Sequence, residues 1–107
     1  MRAGHRSLTN GHRPQIVIPL VGDIDVASAS EVYKRLIELD LQPGERLVLD
    51  MRAATFIDSS GIRLILQAYQ LAARHGARLV VVRGPESVMR PLKLVGLDEQ
   101  LDLVARI

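Results

Sequence analysis

The chain has 107 residues, enough for one domain with one core and too few for two ordinary ones. Hydrophobic residues at 48% and charged residues at 24% give a globular balance, while 3% aromatics and no tryptophan leave too few rings for a binder that stacks single-stranded nucleic acid. Residues 1–22 carry Arg2, Arg6 and Arg13 and no acid, so the other 85 residues hold 11 basic and 12 acidic side chains, and the basic charge is not clustered on a fold as direct nucleic-acid binding would require.

In chain order, residues 1–14 are polar and basic, with a turn-like Asn10-Gly11, and are expected to be a disordered leader before a single domain at 15–107. Ile16, Ile18 and Leu20 alternate with Val17, Pro19 and Val21 over a strand's length, and Pro19 asks for a bulge or an open edge beside it. Gly22 breaks this run, and Asp23-Ile24-Asp25 leads into a helix. Ser28 and Glu31 have the spacing of a capping box there. Val32, Leu36 and Leu39 continue at helical spacing until Pro43-Gly44. Leu47–Met51 is a second strand. A short link then leads through Phe56-Ile57 to Asp58-Ser59-Ser60-Gly61.

Behind that motif Ile62, Ile65, Leu66, Tyr69 and Ala72 mark an amphipathic helix closed by His75-Gly76. Leu79–Val82 is a third strand, apolar throughout. Pro85 opens another helix that ends near Gly96, with Pro91 set to kink or shorten it. Leu101–Ile107 is a last short strand. The alternation β-α-β-α-β-α-β predicts an α/β fold, a mixed but mostly parallel sheet of about four strands with helices packed against it.

Little enzymatic chemistry is on offer. With no cysteine there is no disulfide, thiol nucleophile or cysteine-based metal site. No phosphate-binding glycine motif occurs, no spacing demands a metal or cofactor, and no apolar run reaches the ~18 residues of a membrane span. Met1–Pro14 lacks the apolar stretch of a signal peptide, so a cytoplasmic protein is expected. His75 lies at the far end of the helix that Ser60 starts, roughly 22 Å away at 1.5 Å per residue, and cannot act as base for Ser59. The domain is therefore expected to bind and not to catalyse.

Two polar loops follow strands, Gly22–Asp25 and Asp58–Gly61. If those strands are neighbours, Asp23, Asp25, Asp58, Ser59 and Ser60 share one rim of the sheet. The serine pair has two readings. It can simply cap the helix behind it. It can also carry a phosphate, which the free N–H groups of a helix start would accept without unfolding the domain. A phosphate adds a charge of about −1.5 to −2 and would repel a partner docking there with acidic groups. At an effective dielectric of ~20, a unit pair 4 Å apart is worth ~4 kcal/mol, or ~10³ in affinity.

Leu20–Asp25, Leu47–Asp50, Phe56–Ile62 and Gly96-Leu97 together resemble the STAS domain of the bacterial anti-sigma factor antagonists, over about residues 15–105. The resemblance implies partner switching. The unphosphorylated antagonist binds an anti-sigma factor that is also a serine kinase, which frees a sigma factor for stress or sporulation transcription. The kinase uses ATP to phosphorylate the first serine of the motif, here Ser59, and a PP2C-type phosphatase reverses the modification. Asp23, Asp25, Asp58, Ser60 and Gly61 then match the partner-facing rim, in a monomer or weak dimer, with the start of its helix as the alternative role of Asp25. A second possibility is a non-catalytic STAS subunit of a transporter or of a stress-sensing complex.

Overall fold

A computed structural model describes residues 5–7 and 14–107. The elements are β1 (His5–Ser7), β2 (Gln15–Pro19), β3 (Gly22–Ile24), α1 (Val26–Ile37), β4 (Arg46–Asp50), β5 (Ala54–Ile57), α2 (Ser59–Arg74), β6 (Arg78–Val82), α3 (Glu86–Leu94), α4 (Leu97–Gln100) and β7 (Asp102–Val104). The four predicted strands form the parallel run β2-β4-β6-β7, in register Ile16–Leu47–Leu79 and Ile18–Leu49–Val81.

Within the leader expected to be disordered, His5–Ser7 forms β1 at the sheet's edge, antiparallel to β2. The remainder of residues 1–13 lies outside the described residues. Pro19 meets the condition its ring imposes. The Leu20 N–H donates to Asp50 O at 2.8 Å, so the preceding residue faces the opposite edge, where β1 pairs only as far as Val17.

The strands are apolar on both faces because both are covered or clustered. Ile16, Ile18, Leu47, Leu49, Leu79 and Val81 pack with residues of α1, α2 and α3 in one large core. The alternate residues Val48, Val80 and Val82, with half-buried Val17 and Val104, form a smaller cluster. Helix α2 buries Leu64, Ile65, Ala68 and Ala72, the stripe expected of a 3.6-residue period. It ends in a Schellman turn: Gly76 takes φ +69°, its N–H reaches Ala73 O, and the Ala77 N–H reaches Ala72 O at 2.9 Å.

Several boundaries differ from the sequence expectation. Helix α1 starts a turn earlier than Ser28 and stops at Ile37, before the Pro43-Gly44 turn. Helix α3 carries Pro91 in its interior and still runs to Leu94, and Gly96 at φ +80° turns the chain into the short α4. The link before Phe56 is a strand, β5. It pairs in parallel with the three-residue β3 as a separate two-stranded sheet. Among the described residues no helix is long and apolar enough to cross a membrane.

Candidate functional site

The small β3-β5 sheet builds the rim. Beyond Pro19 and Asp50 the chain continues from β2 and β4 through paired links, with the Gly22 N–H donating to Ala53 O at 2.9 Å. The register then shifts between Gly22 and Asp23, leaving Asp23 opposite Phe56 and Ile24 opposite Ile57. Alternation sends Ile24 and Ile57 into the core and Asp23 and Phe56 outward. Each strand runs straight into a helix through one aspartate, Asp25 for α1 and Asp58 for α2, and both residues have φ −109°. The Asp58 N–H donates to Ile24 O at 3.3 Å, so the two polar loops are stitched side by side.

In the Asp58–Gly61 motif each residue has its own task. Asp58 is the N-cap, its carboxylate accepting from the Ser60 N–H at 2.8 Å and the Gly61 N–H at 3.4 Å. Ser59 is the first helical residue. It is exposed, and its hydroxyl makes no hydrogen bond among the described residues. Ser60 is half-buried. Gly61 is buried where α2 comes closest to the strands, and a Cβ there would press into the Ile57 side chain and come within 3.0 Å of Ile24 Cγ2.

The first loop is corrected in detail. The reciprocal capping box at α1 joins Asp25 and Ser28, not Ser28 and Glu31. The Ser28 N–H donates to Asp25 Oδ1 at 3.1 Å and the Asp25 N–H to Ser28 Oγ at 2.9 Å. The hydrogen bonds from Ser28 hold the Asp25 carboxyl below its ordinary pKa. Asp23 accepts from the Thr55 hydroxyl at 2.7 Å across the two strands. Thus the three carboxylates share a rim, yet each serves a separate donor. No group of three or more His, Asp or Glu gathers as a metal site among the described residues.

Sequence reasoning missed the apolar and basic parts of this surface. Phe56 and Val26 are about half and two-thirds exposed, at 49% and 69%, beside the capping aspartates. A groove of about 280 Å³ runs between α1 and α2, lined by Val26, Ser30 and Tyr33 on one side and Ser59, Arg63 and Gln67 on the other. An exposed large apolar residue next to a polar loop could have marked Phe56, but the sequence alone does not tell which face of a four-residue strand points outward. His75 caps the far end of the sixteen-residue α2, as expected, and offers Ser59 no base.

A family model described as STAS domain matches residues 7–107. The anti-sigma F factor antagonist of Paenibacillus polymyxa is 30% identical over 87 residues, covering 80% of this chain and 74% of that protein. The anti-sigma-F factor antagonist RsfB of Mycobacterium tuberculosis is 26% identical over 96 residues, covering 90% and 78%. Among solved structures, an anti-sigma factor antagonist from Mycobacterium paratuberculosis shares the fold with a TM-score of 0.77 at 24% identity, over 97% of this chain and 86% of that one. The anti-sigma factor antagonist SpoIIAA in its unphosphorylated form gives 0.68 at 15% identity, over 95% and 88%. These relatives are named for antagonism of a regulator and none for catalysis, in line with the expectation of a binding domain. The chain belongs to the STAS domain family, among its anti-sigma factor antagonists.

Proposed function

We propose that this protein binds an anti-sigma factor with serine kinase activity while Ser59 is unmodified, and that phosphorylation of Ser59 ends the binding. Release of the anti-sigma factor then controls sigma-factor-dependent transcription in the cytoplasm, under stress or during sporulation, and a PP2C-type phosphatase resets the switch. The observation that carries this reading is the division of labour at α2. Asp58 supplies the cap, so Ser59 is left exposed on the first turn of α2, its hydroxyl without a hydrogen bond among the described residues.

The surroundings suit a docking surface. Phe56 and Val26 offer apolar area, and Asp23, Asp25 and Asp58 surround it with fixed negative charge. A phosphate here raises that charge by about −1.5 to −2 without needing a change of fold, since the modified residue already lies in the first turn of a helix. A partner that meets Ser59 with an acidic group is then repelled.

Calorimetric titration of the anti-sigma partner tests the reading. Ser59→Ala should bind within about twofold of the parent, and Ser59→Asp about tenfold or more weakly, because one added charge acts at close range. Incubation with the partner and ATP, followed by mass spectrometry, should place the modification on Ser59 and not Ser60. Equal affinity of the two variants would sink the switch. Capture of a membrane transporter in place of an anti-sigma factor would favour the second STAS assignment.

A further inference from the structure

We propose that Arg63 holds the phosphate of modified Ser59 in an ion pair along α2, drawing it back into the groove between α1 and α2. The inference rests on the phosphorylation of Ser59 proposed above and concerns where the phosphate goes. Arg63 is the only charged side chain lining the groove of about 280 Å³ that Ser59 also lines. It is exposed and has no hydrogen bond or ion pair among the described residues. Three other basic side chains are paired, Arg52 with Asp50, Arg78 with Asp102 and Lys34 with Glu31, and none but Arg63 lines the groove.

Geometry favours the pair. Ser59 and Arg63 stand four residues apart on one helix, hence on one face. Helical side chains lean toward the N-terminus, so the long Arg63 stem lies over the turn that Ser59 begins. The anion precedes the cation along the chain, which is the better order for such pairs. A guanidinium offers two parallel N–H groups to two phosphate oxygens. The opposite wall adds the Ser30 and Tyr33 hydroxyls as further donors. The nearest acids of the rim are otherwise occupied: Asp58 by the α2 amides and Asp25 by Ser28. A phosphate laid back in this way fills part of the groove as well as charging the rim, so a partner segment that needs the groove is excluded by bulk.

The test uses the full chain with phosphoserine installed at position 59 during translation, which makes it independent of any kinase. Phosphorus NMR follows the second ionisation of the phosphate from pH 4 to 8 in the parent, Arg63→Gln and Arg63→Lys proteins. The pair favours the dianion, so the parent should titrate about half a pH unit below Arg63→Gln. The lysine variant should recover part of the shift, and 0.5 M salt should shrink the difference. Asp25 and Asp58 act equally in every variant and cancel in the comparison. Because Arg63 is exposed, unmodified Arg63→Gln should melt with the parent, which verifies folding. Identical titrations of parent and Arg63→Gln overturn the inference. Failure of the switch itself would show differently, as phosphoserine protein that still binds the anti-sigma partner.

Discussion

Replacing Gly61 by alanine should destabilise the domain, although alanine is the better helix former by about 1 kcal/mol. The opposing effect comes from close packing at the start of α2. A Cβ at position 61 would press into Ile57 Cγ1, lie 2.9 Å from its Cδ1 and lie 3.0 Å from Ile24 Cγ2. Ile57 and Ile24 are 2% and 1% exposed, so neither has free space to enter. The Cγ1 atom is bonded directly to Cβ, and turning the outer bond of Ile57 does not clear it. Overpacking of this kind costs about 1–3 kcal/mol, and the severity of the overlap puts Gly61 toward the upper end. The net loss is then about 1–2 kcal/mol after the helix gain is subtracted. For a domain near 100 residues each kcal/mol lowers Tm by about 4 °C or slightly more. Urea unfolding should show a lower midpoint with an unchanged slope. The same strain lifts the first turn of α2 from β3 and β5, so partner binding should weaken too. A Gly61→Ala midpoint equal to or above the parent's would refute the packing account.

Asp58→Ala removes the acceptor for two amides and should cost about 1 kcal/mol, whereas Asp58→Asn keeps an acceptor and should lose less. Thermal melts of the two variants check this, and identical Tm values would contradict the capping role. Gly84→Ala should be harsher than an ordinary loop substitution, because its Cβ would meet the backbone carbonyl of Met51, with the carbonyl carbon at 3.2 Å. Soluble yield and midpoint should both fall, and a neutral result would mean the β4-β5 link yields easily. Hydrogen bonding from Arg52 holds the Asp50 carboxyl below its ordinary range of about 4, with Nε at 2.9 Å and the terminal nitrogen at 2.8 Å. The folded state therefore takes up this proton less readily than the unfolded chain. The pair's contribution is present above pH about 4 and is lost as pH falls through the depressed native value. Asp50→Asn should flatten the acid limb of the midpoint-versus-pH curve, and an unchanged limb would show that the pair adds nothing.

The parallel strands and the long helix were legible because their signals are continuous. Leu47–Leu49 and Leu79–Val82 are apolar at every position, as a strand buried on both faces requires, and α2 repeats its stripe over sixteen residues. β3 and β5 were hidden for the opposite reason. With three and four residues they are too short to display alternation, and Asp23 and Thr55 look like loop residues until the two strands pair and their side chains bond to each other. The start of α1 stayed open in the sequence because Asp25 and Ser28 are both good capping residues three positions apart, and Ser28 has an acid three further on. Tertiary structure decides between them, since the Ser28 hydroxyl also donates to Asp23 O at 2.8 Å and ties the helix start to β3. The strand at His5–Ser7 has no apolar signature at all, and its pairing with Gln15–Val17 is carried by the backbone.

The motif Asp58-Ser59-Ser60-Gly61 was visible as a helix start, yet its chemistry depends on an offset of one residue that spacing cannot resolve. Had Ser59 been the cap, its hydroxyl would be turned toward the helix amides and not left free on the surface. With Asp58 in that place, the backbone amides of Ser60 and Gly61 are already satisfied by a carboxylate. Ser59 is then set exposed on the first turn, lining the same groove as Arg63. Gly61 completes the arrangement by letting α2 sit directly on Ile57 and Ile24, which fixes the height of Ser59 above the β3-β5 sheet. A fixed height matters for a switch that works by charge, because the pair energy falls with distance and the same phosphate set farther from the partner would repel it less. In the proposed switch the four residues act together: Asp58 caps the helix and spares a hydroxyl, Ser59 carries the charge, Ser60 is its half-buried neighbour, and Gly61 sets the distance at which that charge acts.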